Sequence, residues 1–500
     1  MKKFFLSLGF LIFLYFFNLG GNSVWIPNES FYADSAKNMI KTGDFLTPIY
    51  NGELRLNKPP LTYWLSALGF KLFGINEFGL RFFQALLGIL TGVITYLLAR
   101  KITNREDTAI LSMVILNLSF IFIANARYTS PEVPFTFFIT LSLFLWFIYY
   151  TEKRAIFFFF ALLSSALAVL TKGPAGFILP AGVIFFFLLF TDWKELLKIR
   201  YYLGTLFVFL ASGWWFLYQY LVNRDAFLEV FIKENIKRIY ALQKDPFYFY
   251  ALDINVSFLP YSFLFFLALF YTFKFKRKEL SFPLIWFLTI FSIFSVVKMK
   301  IPVYVMPAYP AMAIITASFL MDEKFIRLKS FSLIFLGVIG IIAMVLMGFY
   351  FKFHWILLIF ILLSLTPILL RKLVLFPAFA GFFTLLYLSS VVLPFVENYR
   401  PYREVGAKIK ELDPQGKLRT YEIGFFHHNL PFYGDRVIVR KKKPEKVERP
   451  AIVLVRKKVY DCKPIATWKL YTSSESRFFK FLMDIKRNKR FDEFKLCKLQ

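Results

Sequence analysis

Five hundred residues that are 58% hydrophobic, 21% aromatic and only 19% charged exclude a soluble globule, in which about a quarter of residues carry charge. A mean hydropathy of +0.57 and recurring apolar runs of about 17 to 25 residues, each long enough to cross a hydrocarbon core, define a polytopic helical membrane protein. The formal net charge of +29 therefore points to anionic headgroups and topology rather than to nucleic acid.

The opening "MKKFFLSLGFLIFLYFFNLGG" has a basic start and an apolar core but no small-x-small cleavage site, which predicts a retained first span. Thirteen spans are expected in all, at 4–21, 77–99, 108–126, 132–150, 155–170, 174–190, 201–222, 254–273, 281–297, 303–320, 331–350, 354–369 and 374–395. With the N-terminus inside, the cytoplasmic breaks carry 19 Lys and Arg and the four short opposite breaks carry five. The positive-inside rule thus predicts a cytoplasmic N-terminus and an extracytoplasmic tail. The domains expected are a transmembrane body over 1–395, with long outer loops at 22–76 and 223–253, and a tail over 396–500. That tail holds 26 Lys+Arg against 13 Asp+Glu and alternates strand-like runs such as "AIVLV" with helical ones such as "REVGAKIKEL", as a small α/β domain does. Cys462 and Cys497 both lie there, either paired or as free thiols.

The first outer loop brings carboxylates to a chain that otherwise rations charge. "ESFYADSAKNMIKTG" suits an interfacial helix with Glu29 and Asp34 facing water or a cavity, and "KPPLTYWLSALGFKLFG" a second one entered through Pro59 and Pro60. One or two cations end the short outer breaks in "ANARYTSPE", "LTKGPAG" and "VVKMKIPVY". Arg127, Lys172, Lys298 and Lys300 can jointly hold a phosphate, and that is the reading for the set, whereas any one of them alone reads first as a side chain snorkelling to headgroups. Glu132 opens the fourth span after "TSP", where capping and chemistry are both served by a carboxylate. His427 and His428 have no Cys or second His pair at ligand spacing, so no zinc motif is expected.

Five segments then share an order with a known family. "WIPNESFYADSAKNMIKTGDF", "RLNKPPLTYW", "LTKGPAGFILP", "FIKENIKRI" with "PFYFYALDINVSFLPYS", and "KMKIPVYVMPAYPAMAI" together resemble the bacterial membrane glycosyltransferases of GT-C type. The resembling branch contains the lipid A aminoarabinose transferase, with protein O-mannosyltransferases nearby. The resemblance implies an all-α GT-C membrane fold, and a monomeric enzyme in the bacterial inner membrane. It implies transfer of a sugar from a polyprenyl-phosphate donor to lipid A or another envelope acceptor, with membrane lipids as further partners and no nucleic acid. Carried over by position, Glu29 and Glu132 are the catalytic carboxylates, and Lys58, Lys172, Arg238, Lys300 and Tyr304 face the donor phosphate. Asn28, Asn57, Asp34, Arg127 and Lys298 are candidates for positioning substrate. Two family carboxylates are amides here, Asn28 and Asn57, and Asn235 stands where a histidine is common. An amide takes no proton and ligates metal poorly, so no cofactor is assigned, a divalent metal stays open but is weakened by Asn57 and Asn235 in place of likely ligands, and the acid–base role moves to Glu29. A lipid flippase or transporter and a catalytically silent lipid-phosphate binder are the rival readings, although the charges cluster in loops and no internal repeat is visible.

Overall fold

A computed structural model describes residues 2–237, 245–351, 355–443, 447–460 and 462–499. The chain groups into two compact units: residues 1–17, 56–62 and 83–388 form the first, and 18–55, 63–82 and 389–500 the second. This differs from a division at residue 395, because the chain following the first helix groups with the tail.

The helices of the N-terminal half are α1 (Lys2–Phe16), α2 (Asn28–Thr42), α3 (Leu61–Phe73), α4 (Glu77–Thr103), α5 (Glu106–Leu118), α6 (Phe120–Ala126), α7 (Glu132–Glu152), α8 (Ala155–Lys172), α9 (Ala175–Thr191) and α10 (Ile199–Val222). A short hairpin, β1 (Ile49–Tyr50) and β2 (Glu53–Leu54), lies between α2 and α3. There follow α11 (Arg224–Phe231), running into a π-helical turn at Ile232–Lys237, then α12 (Phe249–Ser257), α13 (Ser262–Tyr271), α14 (Ser281–Val296), a 3₁₀ turn at Pro302–Ala308, α15 (Tyr309–Leu320), α16 (Ile326–Phe351), α17 (Trp355–Leu369) and α18 (Phe376–Tyr387).

Among the described residues, seven helical segments are long and apolar enough to cross a membrane, and the pair α5 and α6 makes an eighth. Three further apolar helices, α9, α14 and α17, are shorter. The run at 108–126 is broken by 68° at Ser119. Ser119 is extended there, and the Phe120 N–H that leaves the helical ladder donates instead to the Leu259 carbonyl at 2.9 Å. A span can break where another segment takes up its freed backbone groups. The run at 254–273 likewise divides into α12 and α13.

Helices of the first unit approach closely through small and hydroxylated residues, as in membrane bundles. Ser142 Oγ donates to the Ala161 carbonyl at 2.8 Å and Ser164 Oγ to the Phe138 carbonyl at 2.8 Å, tying α7 to α8. A Cβ on Gly176 of α9 would lie 2.2 Å from the Val169 backbone nitrogen of α8, so only glycine fits that contact. Just before it, "TKGP" stops one helix and starts the next. Gly173, at φ +86, caps α8, and Pro174 opens α9.

The second unit is built on a five-stranded sheet ordered β4-β3-β5-β7-β6. Its elements are α19 (Leu393–Glu397), α20 (Tyr402–Leu412), β3 (Arg419–Ile423), α21 (Leu430–Gly434), β4 (Ile438–Lys441), β5 (Ala451–Arg456), β6 (Ala466–Tyr471), α22 (Phe478–Lys486) and β7 (Phe491–Leu499). Strands β4, β3 and β5 run parallel; β7 pairs antiparallel with β5 and β6. The "AIVLV" run is central strand β5, apolar along its length because both faces are covered. Val405 and Ile409 of α20 pack with Ile452, Leu454 and Phe494 in one core. On the opposite face, Cys462 and Cys497 form a disulfide that fastens the loop after β5 to β7.

Candidate active site

Within the first unit, the structure brings together five of the residues singled out from sequence. Gly173 ends α8 immediately after Lys172, and Glu132 stands in the first turn of α7, so both lie at one end of the α7–α8 hairpin. Their side chains form an ion pair, with about one-eighth of each exposed. The Lys172 ammonium also lies 4.8 Å from the ring centre of Tyr304, which the 3₁₀ turn of "KIPVYVMP" presents, and 5.2 Å from that of Phe135.

Lys172 lines one small cleft with Lys58 and Asn57. Lys58 Nζ donates to Glu234 Oε2 at 2.6 Å, and Asn57 Nδ2 to Glu234 Oε1 at 3.4 Å. Trp215, Phe216, Phe227 and Phe231 line the rest. Two ammonium groups beside an aromatic wall suit an anionic headgroup attached to an apolar tail. Glu234 was not among the candidates read from sequence. Its signal was a lone carboxylate inside "FIKENIKRI", a segment otherwise of apolar and basic side chains apart from Asn235.

A divalent metal fits this site poorly. The Glu234 carboxylate already holds the Lys58 ammonium, and Asn57 offers only an amide. Among the described residues, no three His, Cys, Asp or Glu side chains gather as a ligand set. Arg238 lies outside the described residues, as does the side chain of Asn235.

Arg127, Lys298 and Lys300 do not line this cleft. Arg127 donates to the carbonyls of Leu14, Tyr15 and Phe17, at 2.5, 2.9 and 2.7 Å, and so caps the end of α1. Arginine at helix-terminal carbonyls satisfies acceptors that the helix itself cannot. Lys300 is 7% exposed and donates to the carbonyls of Val297 at 2.7 Å and Asp245 at 3.3 Å. Its backbone N–H reaches Asp245 Oδ2 at 3.0 Å, so this lysine closes a loop rather than presenting a free charge. Lys298 is exposed.

In the second unit, α2 is the helix expected over "ESFYADSAKNMIKT", stopped by Gly43 at φ +74. Its carboxylates, however, are buried rather than facing water or a cavity. Glu29 is 0% exposed. It accepts from Arg81 Nε at 2.8 Å and Nη2 at 2.7 Å, and from the Trp25 N–H at 3.0 Å. The remaining Arg81 N–H groups go to the carbonyls of Leu19, Asn22 and Ser23, so all five are used. A carboxylate held by two hydrogen bonds from a fully buried arginine anchors the loop before α2, which argues against the acid–base role read from sequence. Arg81 was legible only as a charge inside an apolar run, a residue that must find a partner.

Asp34, 4% exposed, accepts from the Asn51 N–H at 2.7 Å and from Asn38 Nδ2 at 3.3 Å. Burial pushes its carboxyl up to about 6, against the lowering pull of the Asn51 N–H and of Lys37. Asp34 thereby holds the turn between β1 and β2, where Asn51 has φ +52. Asn28 is exposed in the first turn of α2.

A bundle of apolar helices with a small α/β sheet domain, and a lysine-bearing cleft among its helices, defines a GT-C type membrane protein. The comparisons with known proteins agree. Residues 1–228 match the model of the dolichyl-phosphate-mannose-protein mannosyltransferase family. A protein of Aquifex aeolicus is 68% identical over 99% of each chain. The undecaprenyl phosphate-alpha-4-amino-4-deoxy-L-arabinose arabinosyl transferase 1 of Pseudomonas fluorescens is 31% identical over 66% of this chain and 61% of its own, so the chain spans about three fifths of that relative's length. The fold is that of ArnT from Cupriavidus metallidurans bound to undecaprenyl phosphate, with TM-score 0.80 at 19% identity over 98% of this chain and 97% of that one. The chain is thus similar in sequence to the aminoarabinose transferases and mannosyltransferases and has the GT-C fold.

Proposed function

We propose that this protein transfers a monosaccharide from a polyprenyl-phosphate carrier to an envelope acceptor at the outer face of the bacterial inner membrane. Its N-terminus then lies in the cytoplasm and its sheet domain outside. The observation that carries this reading is the pair of ammonium groups, Lys58 and Lys172, lining one cleft with four aromatic rings. Polyprenyl phosphate has the matching form: an anionic head on an apolar chain. The names of the Pseudomonas relatives make 4-amino-4-deoxy-L-arabinose the first sugar to test, and the resemblance read from sequence makes lipid A the first acceptor.

Lys58 and Lys172 hold the donor phosphate, and the ring of Tyr304 flanks Lys172. Taking Lys172 to the phosphate releases Glu132, the carboxylate now best placed to act as base. The acceptor oxygen attacks the anomeric carbon and its proton passes to Glu132. The bond from the sugar to the phosphate oxygen breaks, and its electron pair stays on the phosphate. Positioned cations favour that departure because charge builds there in the transition state, and a positioned base contributes about 10²–10⁴-fold.

Mass spectrometry of lipids co-purifying with the wild type, Lys58→Ala and Glu132→Gln tests this. A polyprenyl phosphate or its glycoside should accompany the wild type and Glu132→Gln and be depleted from Lys58→Ala. Transfer should fail in both variants. If the wild type neither carries nor takes up polyprenyl phosphates, the reading is wrong and the transporter alternative comes first.

A further inference from the structure

Glu234 contributes a negative charge to a cleft assigned to a phosphate, an unusual neighbour for an anion. Its carboxylate lies 2.6 Å from Lys58 Nζ, the ammonium that the donor phosphate needs, and 11% of its side chain is exposed. The second lysine of the cleft, Lys172, also carries a carboxylate partner in Glu132. The lysines therefore do not offer two unopposed positive charges.

The transfer step changes the charge of the lipid. The donor glycoside is a phosphodiester with one negative charge. The product is a phosphomonoester, which carries close to two above a second pKa of about 6. A site of two uncovered lysines would hold this product more tightly than the donor, and turnover would stall on release. A carboxylate fixed beside Lys58 repels the doubly charged product more than the singly charged donor.

Resting on the proposed reaction, we infer that Glu234 is the specificity-determining residue that sets the preference for donor diester over product monoester, and so promotes release of the polyprenyl phosphate. Asn57 strengthens the case, because its amide donates to the other oxygen of Glu234 and steadies the carboxylate without neutralising it. The effect is electrostatic and local, of the order expected for one added unit charge near a partly exposed carboxylate.

The test compares the affinities of a short-chain polyprenyl phosphate and of its methyl diester at pH 8, measured on the full chain in detergent. Glu234→Gln should raise affinity for the monoester relative to the diester about tenfold, whereas Glu234→Asp, which keeps the charge, should leave the ratio near that of wild type. Asn57→Asp, measured with a chelator present, should move the ratio the opposite way by adding a second carboxylate, and it stands as the test if Glu234→Gln does not fold. Equal changes for both ligands, or an unchanged ratio, would overturn the inference while leaving the donor assignment intact. Failure of the wild type to bind either ligand would instead sink the proposed function itself.

Discussion

Arg400 offers a clean measurement of what a buried charge does for the second unit. It is 1% exposed, and all five of its N–H groups are used. Two bind Glu475, from Nε at 2.9 Å and Nη2 at 2.8 Å, and one binds Glu397 at 3.1 Å. The remaining two reach the carbonyls of Ser23 at 3.0 Å and Val24 at 3.1 Å, and the guanidinium stacks 3.8 Å from the centre of Trp25. In Arg400→Met neither carbonyl is orphaned, because Ser23 still accepts from Arg81 at 3.2 Å and Val24 from Asn429 at 2.9 Å. What disappears is the compensation of Glu475, itself 2% exposed and left, among the described residues, with the Ile26 N–H and the Tyr402 hydroxyl. Leaving one member of a buried ion pair uncompensated costs about 3–5 kcal/mol, which corresponds to roughly 10 °C in the unfolding midpoint of a unit this size. Thermal unfolding of the full chain in detergent reads this directly. The double variant Arg400→Met with Glu475→Gln removes both charges and should recover more than half of the loss. A double variant as unstable as Arg400→Met alone would refute the reasoning and show that packing around Trp25, not charge, sets the effect.

Asp34 titrates near 6 when folded and lower when unfolded, so the native state binds the extra proton between about pH 4 and 6. Stability from this group is therefore present at low pH and falls by about 3 kcal/mol as pH rises through 6, a slope that Asp34→Asn should remove from the pH profile of the midpoint. His428 has the opposite sign: burial first, then neighbouring His427, Arg440 and Arg55, lowers it to about 4. Its contribution is present above about pH 6.5 and is lost as pH falls to 4, so His428→Phe should flatten acid destabilisation, and a steeper acid limb would contradict the burial argument. Cys462→Ser opens a link between residues 35 apart, for which the chain-entropy relation gives about 4 kcal/mol. Urea unfolding should show that loss in the variant, and adding reductant to the variant should change nothing further.

The helices were legible because apolar runs of membrane length admit little else, and the caps were legible because glycine and proline punctuate them. "TKGP" and the Gly43 stop of α2 are local chemistry, readable within a few residues. The break at Ser119 was not. Nothing in "ILNLSFIFIA" announces it, since it depends on the Leu259 carbonyl, 139 positions away in the sequence and brought alongside by the fold. The grouping of residues 18–55 with the tail was equally hidden. It rests on Arg81 and Arg400, which converge on the backbone of 19–24 from separate parts of the sequence.

The site shows the same limit in sharper form. In sequence, Arg127, Lys172 and Lys300 are equivalent: one cation each, near proline and small residues, at the end of an apolar run. The structure separates them by what lies opposite. Arg127 faces the carbonyls at the end of α1, Lys300 faces those of Val297 and Asp245, and Lys172 faces a carboxylate and an aromatic ring. A cation on carbonyl oxygens completes backbone hydrogen bonding, and moving it leaves buried acceptors unpaired. A lysine on a carboxylate can exchange that partner for a phosphate and keep its charge compensated throughout. Of these three cations, Lys172 alone is thus suited to take up and release an anionic substrate. Lys58 is likewise paired with a carboxylate, Glu234. The pairing of lysine with carboxylate, rather than the presence of lysine, distinguishes the cleft.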